Sequence, residues 1–528
     1  MARCSALRPR LGYRSWPEQA QRAPLAGRVA VTLVLTSSNV NDTAMMQKTA
    51  GVWVLVQPRR VLAWLSLAGP LAAALVMYLP ALRSPFLTDD YILLGASRDM
   101  GFGAFLKSAT VPWANPGTLE LSQNYWRPLS FLTFRGLYRL FGANPLPYHL
   151  FQFGVHCAAV VLVYFLALRL TRNRWAAAVG ATVMAIDPAG FESITWISAL
   201  NSAALPAALG AWLAFASATN APDRIDRRWM TISLVLEAIA FGYRETSIVI
   251  IFAMLLWYVG CERQGHRAEW QRTLASAAPP ALLALAFAAW LLAAPGGGNS
   301  LAGVDRDTPH VFWFYVRQVL PVTAVASNSL LAWVQRGAGV ALLVLPIAAA
   351  VKRRWLIASL SVGLLAALIP YSVYNLGYGA RYYYFPTALL GLLAAALIAE
   401  FAEELEGSSR APRHWLVGLG AAALGAVLVA GAIYGRGRVS TWTHQNPDVE
   451  EQWLTALRAE HSSLPPHGGL WSVDTPGLLT VFEGSSIGPA LDYVYGGGPH
   501  PVYIISEDHI AFARSVMAPN DRLFEYKP

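Results

Sequence analysis

The sequence predicts an all-α polytopic membrane protein with interfacial helices in its first outer loop and a small C-terminal α/β appendage. Three observations carry this reading. Of the 528 residues, 55% are hydrophobic and only 13% charged, about half the charge of a soluble domain. Apolar runs near 20 residues, long enough to cross about 30 Å of hydrocarbon, recur through most of the chain. Every second connection between those runs carries arginines, as short cytoplasmic loops do.

Residues 1–57 are Arg-rich and polar, and their one apolar stretch, Val29 to Leu35, is too short to span. Two readings stand: a disordered cytoplasmic tail, or translation starting at Met45 or Met46. Eleven spans are expected, at 61–80, 148–168, 175–189, 197–218, 229–244, 246–261, 274–294, 337–351, 355–373, 382–400 and 414–434. Arginines fill the second, fourth, sixth, eighth and tenth connections, for example Arg169, Arg172 and Arg174, then Lys352-Arg353-Arg354. The N-terminus is therefore expected inside, the membrane domain at 58–435, and 436–528 outside. The net charge of +9 is explained by this topology, and no basic, aromatic-interleaved patch points to nucleic acid. Cys4, Cys157 and Cys261 show neither metal spacing nor a disulfide framework.

The first outer loop, 81–147, has helical apolar spacing over Tyr91 to Lys107 and Pro128 to Phe141, the pattern of helices lying along an interface. The second long outer segment, 295–336, opens on Pro295-Gly296-Gly297-Gly298; a loop ordered by substrate and a plain linker are both open. In the appendage, Asn446-Pro447-Asp448 reads as a helix start. Leu470 to Val473 and Val502 to Ile505 are β-prone.

The polar residues at helix ends are more informative. Asp89-Asp90 follows span 1, Glu192 span 3, Arg244-Glu245 span 5 and Arg381 span 9, so the helix parity puts all of them on the outer face. Carboxylates and arginines at membrane helix ends are costly and mark functional sites. Like charges as close as Asp89 and Asp90 split their pKa values and divide their roles. Arg127 reads as an interfacial anchor or a lipid-phosphate contact. A structural pairing of Glu245 with a neighbouring arginine stands beside a site-orienting role. His149 and His156, two helical turns apart, read as buried hydrogen-bonding residues.

Set in order, these motifs resemble a known family. The acidic pair, Arg127-Pro128-Leu129-Ser130-Phe131-Leu132-Thr133-Phe134, His149-Leu150-Phe151-Gln152-Phe153-Gly154-Val155-His156, Asp187-Pro188-Ala189-Gly190-Phe191-Glu192-Ser193-Ile194-Thr195-Trp196, Tyr243-Arg244-Glu245-Thr246 and Ala380-Arg381-Tyr382-Tyr383-Tyr384-Phe385-Pro386 look like those of the C-type glycosyltransferase superfamily, nearest its protein O-mannosyltransferase-like branch. Asp187 stands where that branch has His, and no tetratricopeptide repeat follows. The resemblance covers roughly 60–435.

It implies a GT-C-like fold and an inverting transfer of a sugar from a polyprenyl-phosphate carrier to a hydroxyl of an envelope glycan, lipid or protein, at the extracytoplasmic face. The catalytic pair is then Asp89 as base and Asp90 as positioner, or the reverse. Glu192 and Glu245 orient the site; Arg381 and Arg244, with Tyr382, Tyr384 and Arg127, hold the lipid phosphate, and either tyrosine could equally pack in the interfacial belt. A divalent cation, Mg or Mn, on Asp89 and Asp90 is left open. The Ala- and Arg-rich composition points to a bacterial plasma membrane. A transporter or flippase is the rival reading, against which stand the absence of a visible repeat and the gathering of charge on one side; an inactive relative serving as an assembly partner is a third.

Overall fold

A computed structural model describes residues 58–87, 89–110, 126–198, 201–220, 224–262, 270–293, 307–319, 329–374, 380–406, 429–441, 443, 446–473, 487–496, 500, 502–505 and 509–525. Helices dominate. The first is α1 (Pro58–Tyr78), and the acidic pair then opens α2 (Asp89–Asp99), followed by α3 (Phe102–Thr110) and α4 (Pro128–Phe141). Next come α5 (Pro145–Thr171), α6 (Arg174–Ile186), the single turn α7 (Glu192–Thr195), α8 (Asn201–Ala218), α9 (Arg227–Tyr243), α10 (Ile248–Trp257) and α11 (Trp270–Ala293). The bundle continues with α12 (Thr308–Gln318), α13 (Ser329–Val351), α14 (Trp355–Tyr374) and α15 (Tyr384–Glu406).

All the expected spans except the last coincide with one of these helices. Among the described residues six helices are both long and apolar enough to cross a membrane, and two shorter ones, Ser202–Ala218 and Glu245–Gly260, are apolar as well. The expected span at 175–189 is a helix of 13 residues: it ends at Asp187, which is extended before Pro188, and the Asp187 carboxylate caps the next turn, Oδ1 accepting from Ala189 N at 2.9 Å and Oδ2 from Thr387 Oγ1 at 2.7 Å. Of the span at 414–434, the part up to 428 lies outside the described residues, and 429–440 is helical. Val439 sits in the bundle core, so bundle packing runs past residue 435.

Close approach of small residues holds the bundle, as expected where lipid offers no hydrophobic contrast. Gly180 on α6 faces Gly391 on α15, and a Cβ at Gly391 would stand 2.5 Å from the Gly180 carbonyl oxygen. Backbone against backbone has no side chain to yield. Gly391→Val is therefore expected to lose about 3 kcal/mol or more, read as collapse of the monodisperse peak in detergent gel filtration; a folded, normally melting variant would contradict this packing.

The interfacial helices differ from the expectation in one respect: the stretch read as Tyr91 to Lys107 is two helices, broken at Met100-Gly101. Arg135 of α4 donates Nη2 to the Met100 carbonyl at 2.8 Å and stacks over Phe105, 4.4 Å from its ring centre, holding the break. The second outer segment contains a helix, α12, packed on α14.

The C-terminal region is α/β, as expected, with one strand more than the sequence showed. After α16 (Asn446–Glu460) come β1 (Leu470–Val473), α17 (Ile487–Tyr495), β2 (Val502–Ile505), α18 (Ile510–Val516) and β3 (Arg522–Glu525). The sheet is parallel in the order β2-β1-β3, with Leu470 opposite both Val502 and Arg522. Parallel neighbours require crossovers, which α17 and α18 supply. Asp521 staples the sheet, accepting from Gly469 N at 2.7 Å, Trp471 Nε1 at 2.9 Å and Ala518 N at 2.9 Å.

Partial burial pushes the Asp521 carboxyl up, but those three donors outweigh it and hold it below the usual aspartate range. Its folded pKa is thus below its unfolded one. The stability it contributes is present above the unfolded pKa and lost as pH falls through the folded one. Amide exchange in 468–473 and 516–525 is expected to accelerate below about pH 4, and Asp521→Ala to show fast exchange at pH 7 already; an unchanged exchange profile in the variant would contradict the staple.

Candidate active site

The Asp-Asp pair is divided at the start of α2. Asp90 is buried, and its carboxylate accepts from two backbone amides: Oδ2 from Leu87 N at 2.9 Å and Oδ1 from Ser198 N at 2.7 Å. It ties the first turn of α2 to the turn after α7. Asp89 is the first residue of α2, with its side chain outside the described residues.

The turn that meets Asp90 is itself held by Gln152 of α5. Its Nε2 donates to Trp196 O at 3.2 Å and Ile197 O at 3.1 Å, while Ser202 Oγ donates to its Oε1. Gln152 was not singled out as a site residue, although its place between His149 and His156 on one face of an apolar helix was a signal. His149 Nε2 lies 2.8 Å from the Ser84 carbonyl, and His156 Nδ1 lies 3.1 Å from the Tyr384 hydroxyl. Both histidines are buried hydrogen-bonding residues, as expected.

From Trp196 the polar contacts run on without a gap. The Arg381 guanidinium lies over the Trp196 ring at 4.9 Å and the Tyr382 ring at 4.8 Å. Arg381 donates Nη2 to the Tyr382 hydroxyl at 3.2 Å. Glu192 Oε2 accepts from Arg381 N at 3.2 Å and from Nη1 at 3.4 Å, and Ser193 Oγ donates to Arg381 O at 3.1 Å. Glu192 thus orients Arg381, the only role its buried position shows.

Tyr382 stacks on Tyr371 of α14 at 4.9 Å, and Tyr315 of α12 meets Tyr371 at 6.3 Å and Tyr383 at 5.2 Å. Tyr315 and Tyr371 sit in apolar runs, where a tyrosine is indistinguishable by sequence from an interfacial belt residue. Beyond them is Arg244. It is buried, 4% exposed, and interacts electrostatically with Arg127, Glu245, Tyr371 and Tyr382. Among the described residues the guanidinium's one hydrogen bond runs from Nε to Thr246 Oγ1, 3.1 Å.

Glu245 has the structural partner that the sequence left open. Arg127 forks onto it, Nε to Oε2 at 3.0 Å and Nη2 to Oε1 at 2.6 Å, a bidentate pair. Arg127 is the N-cap residue of α4, which is itself tied to α9 by Ser130 Oγ donating to Tyr243 O at 2.9 Å. Tyr384 is the outlier. It is buried with its hydroxyl against His156, and its ring touches Gly190 rather than the Arg381 guanidinium.

Asp90, Glu192, Arg244, Glu245, Arg381 and Tyr382, from four separate parts of the sequence, are therefore joined in one contact chain. The residues expected on a single face come together in space. Among the described residues no group of three or more His, Cys, Asp or Glu is placed to hold a metal ion.

Residues 127–293 match the family described as dolichyl-phosphate-mannose-protein mannosyltransferase. The protein O-mannosyl-transferase Tmtc1 of Drosophila melanogaster is 30% identical over 189 residues, 35% of this chain and 22% of that protein. TMTC1 of Homo sapiens is 27% identical over 199 residues, 35% of this chain and 22% of the relative. Over about a third of its length this chain is mannosyltransferase-like in sequence. The resemblance to protein O-mannosyltransferases is borne out over this segment by these matches. The motifs from Arg127 to Thr246 fall within the matched segment; Asp89-Asp90 and Arg381 lie outside it. The match spans about a fifth of the length of those relatives. ArnT from Cupriavidus metallidurans, in a crystal structure bound to undecaprenyl phosphate, superposes with a TM-score of 0.49 at 15% identity, over 88% of this chain and 90% of that one.

Proposed function

We propose that the protein is an integral membrane glycosyltransferase moving a sugar from a polyprenyl-phosphate carrier to an acceptor hydroxyl, with inversion, at the extracytoplasmic face of a bacterial plasma membrane. The observation that carries this is Arg244: a buried guanidinium with a single hydrogen bond among the described residues, beside a second arginine that takes the fork of the one carboxylate near both, Glu245. A buried cation without a carboxylate forked onto it is costly. An anion that arrives with the substrate explains why it is kept.

In this reading the lipid phosphate binds Arg244 and Arg381. Both guanidiniums offer planar donors suited to phosphate oxygens, and they stabilise the negative charge that grows as the sugar–phosphate bond breaks. Glu192 and the Trp196 and Tyr382 rings fix Arg381, while Glu245 spends its charge on Arg127 and so builds the wall beside Arg244. Asp90 is occupied by two amides and sets the start of α2. That leaves Asp89 to take the acceptor's proton as its oxygen attacks the oxocarbenium-like anomeric carbon. The acceptor is a hydroxyl of an envelope glycan, lipid or protein.

The test is transfer of radiolabelled sugar in membranes expressing the protein, offered a panel of polyprenyl-phosphate sugars. Product from at least one donor, absent in vesicles lacking the protein, is expected. No transfer from any donor by well-folded protein, with envelope extract supplied as acceptor, would contradict the reading.

A further inference from the structure

The helix that begins with the acidic pair is held from two directions. At its start, Asp90 fastens it to the bundle through the Ser198 amide. Along its length it lies against α17 of the C-terminal region. Tyr91 and Arg98 of α2 are seven residues apart, two turns, and share a face; a single residue, Tyr493, meets both. The Tyr91 and Tyr493 rings are 5.9 Å apart, and the Arg98 guanidinium lies 4.8 Å from the Tyr493 ring centre.

Arg98 also donates Nη1 to Tyr493 O at 2.8 Å and Nη2 to Asp492 O at 3.4 Å. Those carbonyls belong to the last turn of α17, where a cation is favoured; Asp492 O also accepts from Gly496 N at 3.1 Å. Arg98 thus caps a helix almost 400 positions further along the chain. Asp99 holds the same guanidinium in place, Oδ1 on Nε at 2.7 Å and Oδ2 on Nη2 at 2.9 Å. Tyr493 also packs against the cluster of Phe86, Leu93, Leu94, Phe131, Phe134 and Tyr148 that seats the interfacial helices.

We propose that the C-terminal region is a positioning element for the transfer reaction, and that Arg98 and Tyr493 are positioning residues that set the register of α2 and through it the place of Asp89. The proposal rests on the transferase reading. The donor's phosphate partners, Arg244 and Arg381, lie on other elements, so loosening α2 displaces the base more than it displaces the donor's contacts. A base displaced by about 1 Å costs about 100-fold in rate.

The experiment compares wild type, Arg98→Ala, Arg98→Lys, Tyr493→Ala and Asp89→Asn in full-length protein, with Phe512→Ala, an exposed residue of α18, as control. Transfer is measured against donor concentration, and amide exchange is followed in 90–99 and 487–495. In Arg98→Ala and Tyr493→Ala, kcat is expected to fall about 10- to 100-fold with donor KM within about twofold, and both segments to exchange faster together. Arg98→Lys, which keeps the charge and loses the fork, is expected between wild type and Arg98→Ala, and Phe512→Ala at wild-type values. Unchanged kcat in both alanine variants while Asp89→Asn is inactive would overturn the positioning role and leave the transferase reading standing. Unchanged exchange would overturn the clamp itself, and a donor KM that rises at constant kcat would overturn the link to Asp89. Transfer that survives Asp89→Asn would overturn the assignment of the base on which the proposal depends.

Discussion

Asp89→Asn is expected to abolish sugar transfer, with a fall of about 10³-fold or more, while the protein melts at the wild-type temperature. The amide keeps the shape of the side chain and removes its basicity. Asp90→Asn is expected to behave differently. The Asp90 carboxylate accepts two amides, one on each oxygen, whereas an asparagine has one acceptor oxygen and turns an NH2 toward the second amide. One buried N–H is left unsatisfied at a cost of about 1–3 kcal/mol. Asp90→Asn therefore lowers both the melting temperature and the activity, and the residual activity tracks the fraction of α2 still in place. The reverse pattern, a stable inactive Asp90→Asn and an active Asp89→Asn, would exchange the two roles.

Arg244→Gln is expected to lose about 100-fold or more in kcat/KM for the lipid-linked donor while the substrate-free protein melts at or above the wild-type temperature. The two effects have one cause. Arg244 sits buried beside the Arg127 cation, its guanidinium making one hydrogen bond among the described residues; the one neighbouring carboxylate, Glu245, is shared by both cations and forked by Arg127, so the cluster keeps a net positive charge that costs free energy until an anion arrives. Natural sequences keep such local conflicts at functional sites. Arg244→Lys keeps the charge but offers a point donor in place of a fork, and is expected to recover only part of the loss. A variant that loses stability as steeply as activity would show instead that Arg244 is a structural residue of the turn between α9 and α10.

Much of this was legible from the sequence, for physical reasons. Apolar length and arginine alternation are properties of single segments, so α1, α5, α6, α8 to α11 and α13 to α15 were located without tertiary information, whereas α12, in the segment read as a loop, was not. Leu470 to Val473 and Val502 to Ile505 were visible through their β-prone residues. Arg522 to Glu525, charged at both ends, was not, because its strand character comes from pairing with Leu470 to Val473 rather than from its own residues. The break at Met100-Gly101 was hidden for a similar reason: what holds it is Arg135, 35 positions away.

At the site, parity gathered Asp90, Glu192, Arg244, Glu245 and Arg381 on one face, and these residues meet. Parity could not say who pairs with whom. Arg127, which the resemblance offered to the lipid phosphate, is forked onto Glu245, 118 positions on; Tyr384, offered the same role, is engaged with His156. Tyr315 and Tyr371 remained unseen because a lone polar group in an apolar run has no period of its own; Gln152 shares a helix face with His149 and His156, and that spacing was the signal it offered. The C-terminal region gave no functional signal either, since its contact with α2 is made by two ordinary residues, Arg98 and Tyr493, far apart in the chain.

The central claim, that Arg244 and Arg381 bind one lipid phosphate, is tested most directly by photo-crosslinking with a polyprenyl phosphate that carries a photoreactive group next to the phosphate, followed by peptide mapping. Labelling is expected in the peptides containing 244–246 and 371–384, competed by unmodified polyprenyl phosphate and by no uncharged polyprenol, and lost in Arg244→Gln. Specific labelling that maps elsewhere, or that persists undiminished in Arg244→Gln, would contradict the site.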